Sequence, residues 1–223
     1  VAPIRVVTVP SVVDTKVFRY DSISRNRLRK QLSWTNQIIG IYVGKFGGLY
    51  YEREAFMLFK RCFRSFSQFR LIILSPQEHE GVKEKFQEVE LGSDQVLIAT
   101  VSQNQVPDYL SAADFAFATY KPGAFKRFLS PVKIGEYWAN GLPVLLTEGV
   151  GDDSDIIKNE GGGALFNLNE EGSVERALKK IQEILKDPAH RQDIPKLAEK
   201  YRSPDRIREA YEYFFDQQRE GQS

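Results

Sequence analysis

In "GIYVGKFGGLYYE", Gly40–Glu52, an apolar β-rich run ends in a glycine-rich turn and opens into a helix. The run reaches back to Gln37 ("QIIGIYVG") and shows no alternation of apolar and polar residues. A strand without alternation is buried on both faces, as in a parallel sheet covered by helices on each side. The residues that follow put Ala55, Leu58, Phe59, Cys62 and Phe66 on one helical face. The same grammar recurs outward. "RLIILS" (Arg70–Ser75) precedes a helix from Gln77 to Val89, and "QVLIAT" (Gln95–Thr100) precedes the short helix "VPDYLSAA" (Val106–Ala113). "DFAFAT" (Asp114–Thr119) leads through a long loop into another helix; "PVLLT" (Pro143–Thr147), a helix near Ser154–Asn159 and "ALFN" (Ala164–Asn167) complete the series. About six βα units predict an α/β fold, a doubly wound parallel sheet with helices on both faces.

Outside this body, Ile4–Val9 is strand-like and residues 1–20 read as an inter-domain linker or arm. Residues 21–200 form the domain. From Ser173 the chain is helical, with one stripe of Val174, Ala177, Leu178, Ile181 and Leu185 and another of Ile207, Ala210, Tyr211 and Phe214. The chain starts at Val1 rather than Met, already in strand and turn, which predicts a fragment of a longer protein.

With 42% hydrophobic and 27% charged residues the 223-residue chain reads as soluble and globular, and a net charge of +1 gives no bulk attraction to nucleic acid. One cysteine, Cys62, makes an internal disulfide impossible and fits a reducing, cytoplasmic setting; Phe59, Phe63 and Phe66 around it predict an inert core thiol. No apolar run approaches the roughly 18 residues of a membrane span. The helix Ser22–Leu32 carries Arg25, Arg27, Arg29 and Lys30, which predicts a solvated face, with peripheral contact to acidic lipid as the alternative.

Cations crowd the start of the helix in "KRFLSPVKIGEYWANGLPV" (Lys126–Val144): Lys126, Arg127 and Lys133. Ser130 suits the N-cap and Pro131 the first helical position. Lys133 then stands where a capping box has Glu or Gln, at the end of a helix that repels cations. An anion resolves the conflict: free N–H groups, the helix dipole and the basic side chains together make a phosphate site, at the carboxyl edge of the sheet. Glu136 and Asn140 share the face of Lys133, and a carboxylate there can accept from two vicinal hydroxyls, as a ribose offers. The plain alternative is a surface Lys133–Glu136 pair.

Gly44, Gly47 and Gly48 permit close backbone approach in the first turn, and Lys45 adds a charge for a second phosphate contact. The turn is neither a Walker loop nor G-x-G-x-x-G, and a ligand-free tight turn is its alternative. "DSD" (Asp153–Asp155) reads as helix-capping acids rather than a metal motif, and His79 and His190 as surface histidines, so no metal site is expected.

These residues together resemble the C-terminal, donor-binding domain of GT-B glycosyltransferases, in particular the retaining group 1 (family four). "SPVKIGEYWANGLPVLLT" is similar to that family's P-x-K-x-x-E-Y-x-A-x-G-x-P-V signature, and "YVGKFGG" to its V-G turn. "VPDYLSAADFAF" is similar to its V-P-x-Y-L-x-A-A-D segment, and "VPSVVDTKVF" (Val9–Phe18) to its inter-domain stretch, all in the family's order. The resemblance implies a Rossmann-like half of a GT-B fold that binds a nucleotide sugar as substrate, with no cofactor and no metal. By position, Glu136 matches the ribose-holding second Glu of E-x7-E. Lys45 matches a phosphate-contacting residue, Lys133 the signature lysine, and backbone at Val101–Ser102 the stretch beside the base. Lys126, Arg127 and Ser130 fall in the loop that meets the diphosphate and sugar.

Two positions depart: Phe128 replaces the first Glu of E-x7-E, and Tyr50 a second basic residue. The acceptor site, and any catalytic side chain there, belongs to a missing N-terminal domain. Residues 201–223 are expected to pack back toward that domain through Tyr211, Tyr213, Phe214 and Phe215. The implied whole is a glycosyltransferase of polysaccharide biosynthesis with a glycan or lipid-linked acceptor, inactive as this fragment. A non-catalytic scaffold or nucleotide-binding module is the alternative, favoured by Phe128 and Tyr50. A nucleotide-sugar epimerase lacks support in the histidine pattern.

Overall fold

Tyr42 and Ile41 point to opposite faces of one strand, and each enters a different hydrophobic core. The computed structural model describes residues 9–91 and 95–220, so the strand expected over Ile4–Val9 lies almost wholly outside the described residues. Strands β1 (Ile38–Val43), β2 (Phe69–Leu74), β3 (Val96–Ala99), β4 (Phe115–Ala118), β5 (Val144–Thr147) and β6 (Gly163–Phe166) form one sheet in the order β3-β2-β1-β4-β5-β6. Every pairing is parallel. The expected doubly wound sheet is therefore present, and β4 and β5 are buried along their whole length.

The helices are, in chain order, α1 (Ser22–Gln31), α2 (Arg53–Ser65), α3 (His79–Glu88), α4 (Val106–Ala112), α5 (Val132–Ala139), α6 (Asp153–Glu160), α7 (Ser173–Lys186), α8 (His190–Asp193), α9 (Pro195–Arg202) and α10 (Asp205–Glu220). On one face α2, α3 and α7 bury a phenylalanine-rich core that includes Phe56, Phe59, Phe86 and Phe117. Phe59 meets Phe117 edge-on at 4.9 Å, the geometry aromatic quadrupoles favour. Burying side chains of this size is worth about 1.5–3 kcal/mol each, so the apolar stripe of α2 drives its docking. Cys62 is fully buried there, and burial pushes its thiol pKa up, as an inert core thiol requires. On the other face α4, α5, α6 and α9 cover Ile39, Ile41, Leu110, Tyr137 and Trp138.

The basic helix departs from its expected solvated face. Asp21 caps α1, and Arg29 is buried. Arg25 and Arg29 reach inward to the two oxygens of Asp114, at the amino end of β4, while Arg27 pairs with Asp108 at 2.7 Å. Arg25 also donates to the Ser111, Ala112 and Ala113 carbonyls at the end of α4, and Arg29 to those of Ala112, Thr35 and Gln37. Sequence spacing shows four cations on one helix; it does not show that an aspartate more than eighty residues on sits under two of them. Arg25 and Arg29 are thus engaged inside the chain, while Arg27, in its pair with Asp108, and Lys30 stay exposed. Among the described residues no helix is long and apolar enough to cross a membrane.

The tail also differs between its parts. Val174, Ala177, Leu178 and Ile181 are buried as their stripe predicts. On α10, however, Tyr211, Tyr213 and Phe215 are each more than half exposed and Phe214 is exposed at 37%, so the second stripe has no full cover among the described residues.

Asp114 also accepts the Ile39 N–H at 2.8 Å, so one carboxylate ties α1, β1 and β4. Burial alone raises its pKa, but the Arg25 and Arg29 charges and the Ile39 bond outweigh it and hold the carboxyl below the usual range. Replacement Asp114→Ala leaves the buried Arg29 and the half-buried Arg25 guanidinium groups without their anion. It is expected to lower unfolding free energy by about 3–5 kcal/mol in urea titrations. Because the native pKa lies below the unfolded value of about 3.9, the stabilisation is complete above that pH and is lost as pH falls through the native value.

Candidate functional site

The chain leaves β1 and β4 toward opposite faces of the sheet: α2 packs on the phenylalanine side and α5 on the other. Right-handed crossovers enforce this where strand order reverses, and they open a crevice between the two strand ends. Its walls are the Gly44–Glu52 turn and the loop from Thr119 to Pro131. The two are stitched together by an antiparallel bridge between Tyr50 and Tyr120. Lys121 N–H donates to Leu49 O at 2.9 Å, and the two tyrosine rings pack 5.0 Å apart.

Lys133 enters this junction from the first turn of α5. Its Nζ is sealed from solvent and has no hydrogen-bond partner among the described residues. Instead it lies over three aromatic rings, 4.1 Å from the Tyr50 centroid, 5.6 Å from Tyr42 and 5.7 Å from Tyr120. Gly44 makes the approach possible: at φ 133° its hypothetical Cβ would stand 3.0 Å from that Nζ. Burial lowers the Lys133 pKa to about 8, against the upward pull of Glu136.

Glu136, one turn on, is 8% exposed. Its Oε1 accepts from Gln103 Nε2 at 3.2 Å. Gln103 opens a short 3-10 turn capped by Ser102, so the Val101–Ser102 backbone lies next to the carboxylate. Burial raises the Glu136 pKa, opposed by the Gln103 bond and the Lys133 charge. The alternative of a solvated surface pair is excluded by the burial of both charged groups. Asn140 is turned inward and its Nδ2 donates to the Glu136 carbonyl at 3.1 Å, so it serves the helix end rather than the crevice.

Ser130 does not cap α5. Pro131 occupies the N-cap, and no side chain caps the first turn. Ser130 Oγ instead accepts from the Ser11 N–H at 2.9 Å and from the Arg202 guanidinium, while Ser11 Oγ donates to Ser130 O at 2.6 Å. Arg202 at the end of α9 pairs with Asp153, which is fully buried. Asp153 of "DSD" thus stands in the first turn of α6, the end that acids suit, and serves there as a buried counter-ion to Arg202 without a side-chain cap bond. A local cap reading fails here because the hydroxyl finds stronger partners from chain segments remote in sequence.

The other basic residues diverge. Lys45 is exposed in the turn, whose shape is held by Tyr42 Oη donating to Lys45 O at 2.6 Å. Lys126 Nζ donates to Glu148 O at 2.6 Å, and Arg127 stacks on the Phe128 ring at 4.6 Å. Phe128 itself is 74% exposed. The structure thus brings Gly44 to Lys133 and the turn after Val101–Ser102 to Glu136, leaves Lys45, Gly47 and Gly48 elsewhere on the glycine-rich turn, and holds Lys126, Arg127 and Ser130 on the loop from Thr119 to Pro131. Gln103, Tyr42 and Tyr120 were not legible as site residues, and Tyr50 was read only as a departure from the family pattern; spacing does not announce contacts that the tertiary fold makes. His79 is half-buried with its Nε2 3.0 Å from Thr100 Oγ1, and no group of three or more metal-ligating side chains occurs among the described residues.

The family model for glycosyl transferases group 1 matches residues 24–201. No curated protein matches the chain. Among solved structures, the C-terminal domain of a glycosyl transferase group 1 family protein (LpcC) from Francisella tularensis is 18% identical. That alignment covers 83% of this chain and 94% of that one, with a TM-score of 0.58. The Anabaena protein HepE in complex with UDP is 14% identical over 92% of this chain, with a TM-score of 0.71. HepE in complex with UDP-glucose is 18% identical, with a TM-score of 0.66. This chain spans 56% of the HepE chain in both.

Ser130→Ala leaves the Ser11 N–H and one Arg202 donor without their acceptor. The expected cost is about 1–3 kcal/mol of stability by thermal or urea unfolding, more than the few tenths lost at an exposed serine.

Proposed function

The chain belongs to the group 1 glycosyl transferases, with the fold of the GT-B C-terminal domains, and from that premise we propose that it binds the nucleotide-sugar donor of a sugar transfer. The observation that carries the reading is the crevice itself, where a buried ammonium without a hydrogen-bond partner and a buried carboxylate stand one helical turn apart beside a glycine-rich turn. The known complexes of HepE with UDP and UDP-glucose support the same ligand class.

In this reading Glu136 accepts from the ribose hydroxyls, and the Val101–Ser102 backbone flanks the base. The diphosphate lies between the Gly44–Lys45 backbone and the tip of α5. As the glycosyl bond breaks, negative charge grows on that diphosphate. The α5 dipole, Lys133 and Lys45 are fixed there beforehand, and preorganised charge is what lowers such a barrier. That set of groups suits metal-independent transfer, with the nucleotide sugar as substrate and no further cofactor. The acceptor, a glycan or lipid-linked glycan of polysaccharide assembly, is held by another domain. The exposed aromatic face of α10 supports such a partner domain, and the chain by itself binds donor without transferring sugar.

A second reading, a nucleotide-binding or scaffold module without catalysis, draws on Phe128 and on the Tyr50 ring that covers Lys133.

Calorimetric titration with UDP tests the assignment. Binding is expected in the presence of a chelator, and Glu136→Ala is expected to weaken it by roughly tenfold or more, the worth of hydrogen bonds to a charged group. The protonated Lys133 attracts the anion, so above the second ionisation of the UDP terminal phosphate, at about pH 6, affinity is expected to fall as pH rises through about 8. Lys133→Met removes that fall. UDP binding indifferent to Glu136 leaves the scaffold reading in its place.

A further inference from the structure

An ammonium shut off from water and given no hydrogen-bond acceptor loses its proton unless another group stabilises the charge. Around Lys133 Nζ the groups that do so are the Glu136 carboxylate, one turn on, and three ring faces. Tyr42 is fully buried in β1 and Tyr120 is 2% exposed at the end of β4, so both are parts of the core. Tyr50 is different. It comes from the glycine-rich turn, lies closest to the cation at 4.1 Å, and is held there by backbone pairing with Tyr120. That distance is well inside the roughly 6 Å over which a ring quadrupole attracts a cation, and the attraction strengthens when water is excluded.

Building on the donor-site reading, we propose that Tyr50 is a positioning residue. Its ring face keeps the Lys133 ammonium charged and fixed at the tip of α5, where the leaving diphosphate gathers negative charge. Tyr50 acts through Lys133 and does not touch the donor. The ring does the work, not the hydroxyl, because no hydrogen bond joins Tyr50 Oη to the ammonium. Tyr50 contributes no charge of its own; it favours the charged form of Lys133 against the opposing effect of burial.

The other ionisable groups near the ammonium are few. Glu136 faces it from α5 and favours the charged form. Burial keeps the hydroxyls of Tyr42, Tyr120 and Tyr137 protonated past the range in which Lys133 titrates. Lys45 lies in the same turn with its side chain exposed.

The test is a titration of the Lys133 side chain by carbon-13 NMR in the nucleotide-free chain, with the resonance assigned through Lys133→Met. Burial and Glu136 by themselves bring the midpoint to about 8, and in the wild type it is expected above that because the ring adds to the charged form. Tyr50→Leu keeps the cover but removes the quadrupole, and is expected to move the midpoint down by about one pH unit. Tyr50→Met is expected to do the same, and Tyr50→Phe to leave it in place. A midpoint that stays or rises in Tyr50→Leu makes the ring a cover only and overturns the proposal. So does a Tyr50→Phe midpoint displaced as far as that of Tyr50→Leu. UDP titrations of the same variants separate this from the donor-site reading. A displaced midpoint without UDP binding keeps the cation holder and removes the donor site; UDP binding with an unmoved midpoint does the reverse.

Discussion

Parallel pairing of β1 with β4 is the constraint from which the rest follows. The two strands are remote in sequence, and their register aligns Gly40 with Phe115 and Tyr42 with Phe117. At the amino ends Asp114 holds them, accepting the Ile39 N–H and two guanidinium groups of α1. At the carboxyl ends the chain turns toward opposite faces, and that divergence alone makes the crevice. The clamp and the site are therefore opposite ends of one pairing: what fixes the strands at Asp114 also fixes the distance between Gly44 and α5.

Electrostatics in the crevice depends on which cations the fold leaves uncommitted. Arg25, Arg29 and Arg202 are consumed by buried carboxylates and carbonyls, and Lys126 by the Glu148 carbonyl. Lys133 is kept apart from any acceptor and placed against aromatic faces. A buried charge held in this way is costly in the free protein, and under the proposed donor-site reading that cost is offset once an anion arrives. Desolvation that penalises the empty site strengthens the filled one, because the same low dielectric enhances the ion contact.

The sheet was legible in the chain because its signal is local. Runs such as "RLIILS" and "DFAFAT" are apolar throughout, and α2 and α7 carry their stripes at helical spacing. The pair Lys133 and Glu136 was legible for the same reason: a cation at a helix start is a local conflict, and spacing puts the carboxylate one turn on. Ser130 misled because capping is only one use of a serine before proline, and a hydroxyl bonds to whatever the tertiary fold brings near. Arg25 and Arg29 misled likewise, since periodicity names a basic face without naming the aspartate beneath it.

Local order in the sequence by itself determined the element types, the two-sided burial of the strands, the family and the pairing of a lysine with a glutamate on α5. The tertiary structure alone decided which charges remain available and what holds them. Tyr50, Tyr120 and Gln103 reach the site only through loop contacts between distant strands, and Ser130, Asp153 and Arg202 meet only when α9 closes on α5. Periodicity encodes a residue's face; it carries no term for which distant side chain that face will meet.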